Sequence, residues 1–211
     1  MAIRPVFLSN FQNEYVREVD VEFKYYPGFS VSQKQRCINS LHQSFLSNYD
    51  KKIIEISSKS LCDLGVRLSA FNLCDNNGIS VECKFQSSKI FEKGGPYKDI
   101  LNLSARGAKK DLRLRNSGLL KGFEFNGHIY PLTPKTAFYD WIYINTLWQY
   151  NRNLAIQITE YDAFTDIEFN PKKSLNCQAR ALAMFVTLFC KDEHIQILND
   201  FEVFADKLYE K

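Results

Sequence analysis

Residues 161–180, YDAFTDIEFNPKKSLNCQAR, decide how this chain is read. They gather Asp162, Asp166 and Glu168 with Phe164 and Phe169, turn at Pro171, pass two lysines and Asn176, and run straight into an apolar segment. Carboxylates interleaved with aromatics and pinned to the start of a hydrophobic helix can aim a few polar groups into a cleft. The same residues also fit a purely structural role, with Asp162 and Asp166 capping a turn and Phe164 and Phe169 filling core.

Downstream, 176–189 (NCQARALAMFVTLF) reads as a buried helix in which Ala179, Ala181 and Ala183 allow close packing, and Ile197, Phe201, Phe204 and Leu208 mark an amphipathic C-terminal helix. Upstream, Leu154–Ile158 is a short apolar piece. Before it, KTAFYDWIYINTLWQY (135–150) is apolar around much of its circumference and predicts a central helix, with Thr133 as cap, Pro134 in first position and Asp140 exposed.

The N-terminal half divides at its turns. PVFLSNF and VDVEFKYY read as irregular and strand structure, the latter by alternation of Val19, Val21, Phe23 and Tyr25 with charged residues. After Pro27-Gly28 a helix is predicted from the spacing of Ile38, Leu41 and Phe45, with Ser32 as its N-cap and Gln33 and Lys34 in its first turn. KKIIEIS (51–57) predicts a short strand and 58–68 a second helix carrying Leu61, Leu64 and Leu68. ISVECKF (79–85) alternates cleanly and predicts a strand with Glu82 on its polar face. The Gly94-Gly95-Pro96 turn fits either a plain turn or, with Tyr97, a backbone cradle for phosphate. In 104–115, Arg106, Lys109, Lys110 and Arg113 fall on one side of a predicted helix, a stripe suited to DNA phosphates or to a solvated face. GFEFNGHIYP predicts a hairpin turning at Asn126-Gly127.

Composition narrows the class. The chain has 211 residues, 45% hydrophobic content and a formal charge of +3, which suits one globular domain and confines any basic surface to local patches. No secretory leader is visible, and the apolar run Ala181–Cys190 is too short to span a bilayer, so a cytoplasmic protein without membrane contact is expected. The six cysteines lack paired spacing and read as reduced thiols, and the three dispersed histidines argue against a zinc site.

Three pieces in this order resemble the NADAR family, the YbiA-like N-glycosidases. Phe7-Leu8-Ser9-Asn10-Phe11 resembles its FSNF opening motif, YYPGFSVSQKQRCINSLH its WPTSEHYFQAQKF helix, and YDAFTDIEFNPKKSLN its D-x-[YF]-W-G segment with the downstream Asn. The stretch from KFQSSKIFEKGGPYKDIL through PKTAFYDWIYINTL resembles the branch associated with DNA ADP-ribosyltransferase toxins of the DarT kind. The resemblance implies an α+β fold, mainly α, with a helical core and a small antiparallel sheet: a single domain over 1–211, with 79–130 a strand-rich insertion carrying the basic helix.

It further implies an antitoxin that hydrolyses the bond between ADP-ribose and guanine in DNA, without cofactor or metal, releasing ADP-ribose and partnered with a cognate DarT-type toxin. The family's glutamate has no carboxylate counterpart in the first helix, where Gln33 and Lys34 stand. Asp166 or Glu168, with Lys34, would then carry the catalysis. Gly94, Gly95, Tyr97, Arg106, Asp162, Phe164, Asn176 and Gln33 would bind ADP-ribose, with Tyr97 or Phe164 stacking on a base, and Lys109, Lys110 and Arg113 would follow the DNA. Two alternatives stand beside this: an N-glycosidase of a free nucleotide-like metabolite such as a riboflavin precursor, and a non-catalytic module that binds ADP-ribose or DNA.

Overall fold

A computed structural model describes residues 1–9 and 14–209; Asn10 and Phe11 of the opening motif lie outside them. Strands β1 (Ala2–Ser9) and β2 (Val16–Phe23) pair antiparallel with Val6 opposite Val19, and β1 also pairs antiparallel with β7 (Ala163–Thr165), Phe7 opposite Phe164. β3 (Ile53–Glu55) lies parallel to β7, so the sheet order is β2-β1-β7-β3.

Strand periodicity splits the core into two layers. Val6, Leu8, Val21, Phe23 and Ala163 face helix α1 (Val31–Leu46) and its Cys37, Ile38, Leu41 and Phe45. Phe7, Ile54 and Phe164 face the opposite side, against α6 (Ala137–Tyr150) and α8 (Gln178–Cys190). Ala179, Ala181 and Ala183 are buried in that second layer, as their small size predicts. The α+β, mainly helical architecture is the one the resemblance implied.

A second sheet, β4 (Lys89–Phe91), β5 (Leu120–Phe125) and β6 (His128–Tyr130), is antiparallel and turns at Asn126-Gly127, both at positive φ as the hairpin reading required. It is fixed to the central helix by Phe123, whose ring stacks on Phe138 at 4.4 Å. The segment 79–130 holds this sheet together with α3 (Val81–Ser87), a 3-10 turn at Lys98–Asn102, α4 (Ala105–Lys110) and α5 (Arg113–Asn116). The chain closes with α7 (Arg152–Ile158), α9 (His194–Leu198) and α10 (Phe201–Tyr209), so the expected C-terminal helix is two.

Several local expectations are corrected. The segment 79–85 is not a strand. Ser80 accepts a hydrogen bond from the Cys83 amide and caps α3, and every residue from Val81 to Ser87 is buried. A short helix enclosed on all sides has no exposed face to set a 3.6 period, so an accidental alternation dominates its pattern. The cap of α1 is Ser30 rather than Ser32. The helix expected over 58–68 shrinks to α2 (Asp63–Arg67), leaving Leu61 exposed. α6 begins at Ala137 rather than Pro134, and Asp140 is fully buried. The basic stripe is broken, because α4 ends at Asp111, whose carboxylate accepts the Arg113 amide and starts a new turn.

Among the described residues no helix is long and apolar enough to cross a membrane.

Candidate active site

A cleft of about 320 Å³ opens where α3, α6, β7's exit and the start of α8 meet. This is within the size range of small-molecule sites. Asp166, Glu168, Phe169 and Asn176 come to it from the acidic segment, Glu82, Phe85, Gln86 and Lys89 from α3 and β4, and Tyr139 and Gln178 from α6 and α8. Ser57, Ser69, Phe71, Lys109 and Leu175 complete its walls.

Asp166 follows β7 immediately, and its carboxylate turns back on the chain. Oδ1 accepts the amides of Glu168 (3.0 Å) and Phe169 (3.2 Å), and Oδ2 accepts Gln178 Nε2 at 3.0 Å. Burial and the charge of Glu55 nonetheless push its pKa up to about 8, against these stabilising donors. Glu55, buried behind it, accepts Thr165 Oγ1 at 2.6 Å and the Ile167 amide at 2.8 Å. Because Thr165 spends its proton on Glu55, it accepts from His42 Nε2 at 2.8 Å; burial, which lowers the His42 pKa to about 4, keeps that ring neutral with its proton on Nε2.

The other wall carries a second carboxyl. Glu82, 5% exposed, accepts Gln86 Nε2 at 2.8 Å, and Gln86 Oε1 accepts Lys89 Nζ at 2.7 Å. Burial lowers Lys89 to about 8, helped by Lys109 and opposed by Glu82. Tyr139 lies between the walls: its pKa is raised by burial, then by the charges of Glu82 and of Asp166. Two carboxyls and a lysine of tunable charge therefore face one space.

The sequence missed Glu82, Gln86, Lys89, Tyr139 and Gln178. For the first three a signal exists: they recur at i, i+4 and i+7 behind Ser80, a helix cap, but the false strand put Glu82 on a solvent face.

Of the residues expected to form the site, Asp166, Glu168, Asn176 and Lys109 line the cleft. Lys34 joins it indirectly, through an ion pair of 3.0 Å with Glu168, and Gln33 sits beside it against Gly28. The remainder lie elsewhere. Phe164 is fully buried between the sheet and the helices, so it has no face for a base. Asp162 Oδ2 accepts the Lys52 amide, tying the entry of β7 to that of β3. Gly94 and Gly95 do not line the cleft. A Cβ on Gly95, at φ +83°, would collide with the Lys89 carbonyl, so glycine is required where this turn packs against the strand that carries Lys89. Tyr97 donates to or accepts from Ser117 at 2.5 Å, and the Arg113 guanidinium lies over its ring. Arg113 is committed to Asp99 and Asp111, leaving exposed Arg106, Lys109 and Lys110 as the basic face of α4.

Among the described residues no group of three or more His, Cys, Asp or Glu side chains is arranged to hold a metal ion. Cys37, Cys83 and Cys177 are buried free thiols.

Comparison with individually curated proteins gives no match. The family comparison does: over residues 2–211, essentially the whole chain, the sequence fits the model described as DarT1-associated NADAR antitoxin, and the chain belongs to that family.

Proposed function

We propose that this antitoxin is a hydrolase that frees ADP-ribose from guanine bases of DNA, undoing the modification made by a DarT-type toxin. The observation that carries the reading is the meeting, in one cleft, of the half-buried Asp166 carboxyl, whose pKa is pushed up by burial and by Glu55, with a second carboxyl, the buried Glu82. Glycosidic bonds are cleaved through oxocarbenium-like states by such pairs, one member as acid and the other as carboxylate.

In this mechanism the bond between the anomeric carbon and guanine breaks as Asp166 gives its proton to the departing base. A water adds its oxygen to the anomeric carbon and passes a proton to Glu82. Lys89, linked to Glu82 through Gln86, sets the field around that carboxylate. Lys34 and Lys109 at the mouth take the phosphates, and Glu168 holds Lys34 in place. Glu82 thus supplies the carboxylate missing from α1, in the part the resemblance left to Asp166 or Glu168.

The test is release of free ADP-ribose from ADP-ribosylated DNA by the purified chain, with and without chelator. Wild type releases it in both, and Asp166→Asn and Glu82→Gln do not while melting as folded proteins. Release from a modified nucleotide but never from DNA would move the substrate to a free metabolite, and no release from either would leave a binding module.

A further inference from the structure

Phe29 is 99% exposed, directly before the N-cap of α1. Tyr25, at 40%, and Val31, at 50%, are exposed beside it in sequence. Leaving three large apolar groups in water between residue 25 and the first residue of α1 is unfavourable unless something covers them. Their neighbours are cationic. Arg36 lies 4.1 Å over the half-buried Tyr26 ring, with Lys24 at 5.4 Å from the same ring. No carboxylate occurs between Glu22 and Asp50, and none sits in the first turn of α1. The loop is also tied to the cleft: Gln33 packs on Gly28, and Lys34 pairs with Glu168 in the cleft wall.

We infer that the loop 24–30 and the first turns of α1 form a platform for single-stranded nucleic acid, with Phe29 stacking on a base that neighbours the one in the cleft. Arg36 and Lys24 take the adjoining phosphates. Exposed aromatics interleaved with cations are complementary to unpaired bases on a charged backbone, since base faces are free to stack only when the strand is single. This surface is separate from the basic face of α4. It deepens the proposed function and rests on it for the identity of the strand.

Anisotropy of a labelled, unmodified single-stranded oligonucleotide tests it on the full chain. Phe29→Ala weakens binding roughly tenfold, and Arg36→Gln lowers the salt dependence of log K by about one unit of slope. In parallel, release of ADP-ribose from a modified mononucleoside stays at the wild-type rate in Phe29→Ala while release from a modified oligonucleotide slows. Unchanged oligonucleotide affinity in Phe29→Ala overturns the platform even where the cleft hydrolyses both substrates. A platform that binds while wild type hydrolyses neither substrate sinks the reading of the cleft instead. Loss of toxin binding in Phe29→Ala with oligonucleotide affinity intact also overturns it, and assigns the surface to a protein.

Discussion

Gln178 Nε2 lies 3.0 Å from Asp166 Oδ2, and the same amide is held at both ends, donating to the Ile56 carbonyl at 2.7 Å and accepting the Ala70 amide at 2.6 Å. One side chain at the start of α8 therefore ties β3's exit, the 69–70 turn and the candidate acid into a single geometry. Gln178→Ala should lower kcat about a hundredfold by letting Asp166 drift. Because the lost donor favoured the ionised form, the alkaline limb of the rate profile should also move to higher pH. A fall in rate with that limb unmoved would reduce Gln178 to packing.

The pH profile itself is a prediction. If Asp166 acts as the acid, its protonated fraction falls as pH rises through about 8, so the rate is level near pH 6–7 and drops tenfold per unit above. Burial is the larger cause of the raised Asp166 pKa and raises Glu55 as well; Glu55→Gln removes the smaller, coulombic contribution and should move that limb down. Lys89 loses its charge in the same range. Lys89→Arg, which stays cationic, separates the two: an unchanged limb assigns it to Asp166, and a limb shifted up assigns it to Lys89.

Arg180 and Asp140 make a stability prediction. Asp140 is fully buried and accepts from Arg180, Tyr209 and Thr136, so the last helix is tied to the central one through a single carboxylate. Arg180→Met strands that charge and should cost about 3–5 kcal/mol, on the order of a 10 °C fall in melting temperature. Burial raises the Asp140 pKa above its unfolded value. A carboxyl shifted in that direction destabilises the fold as pH rises, so the deficit should be larger at pH 8 than at pH 5. Adding Asp140→Asn should recover part of the loss; a double variant as unstable as the single would refute the coupling.

Lys34 and Glu168 should behave differently. Their side chains are 18% and 44% exposed, and such pairs contribute up to about 1 kcal/mol. Lys34→Ala should leave melting nearly unchanged and raise KM for modified DNA with little effect on kcat. A collapse of kcat at constant KM would return Lys34 to the chemistry.

The sequence by itself determined the helical core and much of the first sheet. Its long apolar patterns have one solution each: α6 and α8 are too hydrophobic to face water, Ile38, Leu41 and Phe45 mark one face of α1, and Asn126-Gly127 forces the hairpin. It also pointed to Asp166, which lines the cleft, because an acid between a strand and a helix is visible in one dimension. Tertiary structure alone decided the rest of the site. Glu82, Gln86 and Lys89 sit around a helix enclosed on all sides, where local periodicity carries no signal, and only the closure of α3 against α6 turns Glu82 toward the cleft. Asp140 read as exposed and proved buried for the same reason: its partner Arg180 is 40 residues away in the chain, and a buried ion pair is settled by which helices meet, a fact no single segment contains.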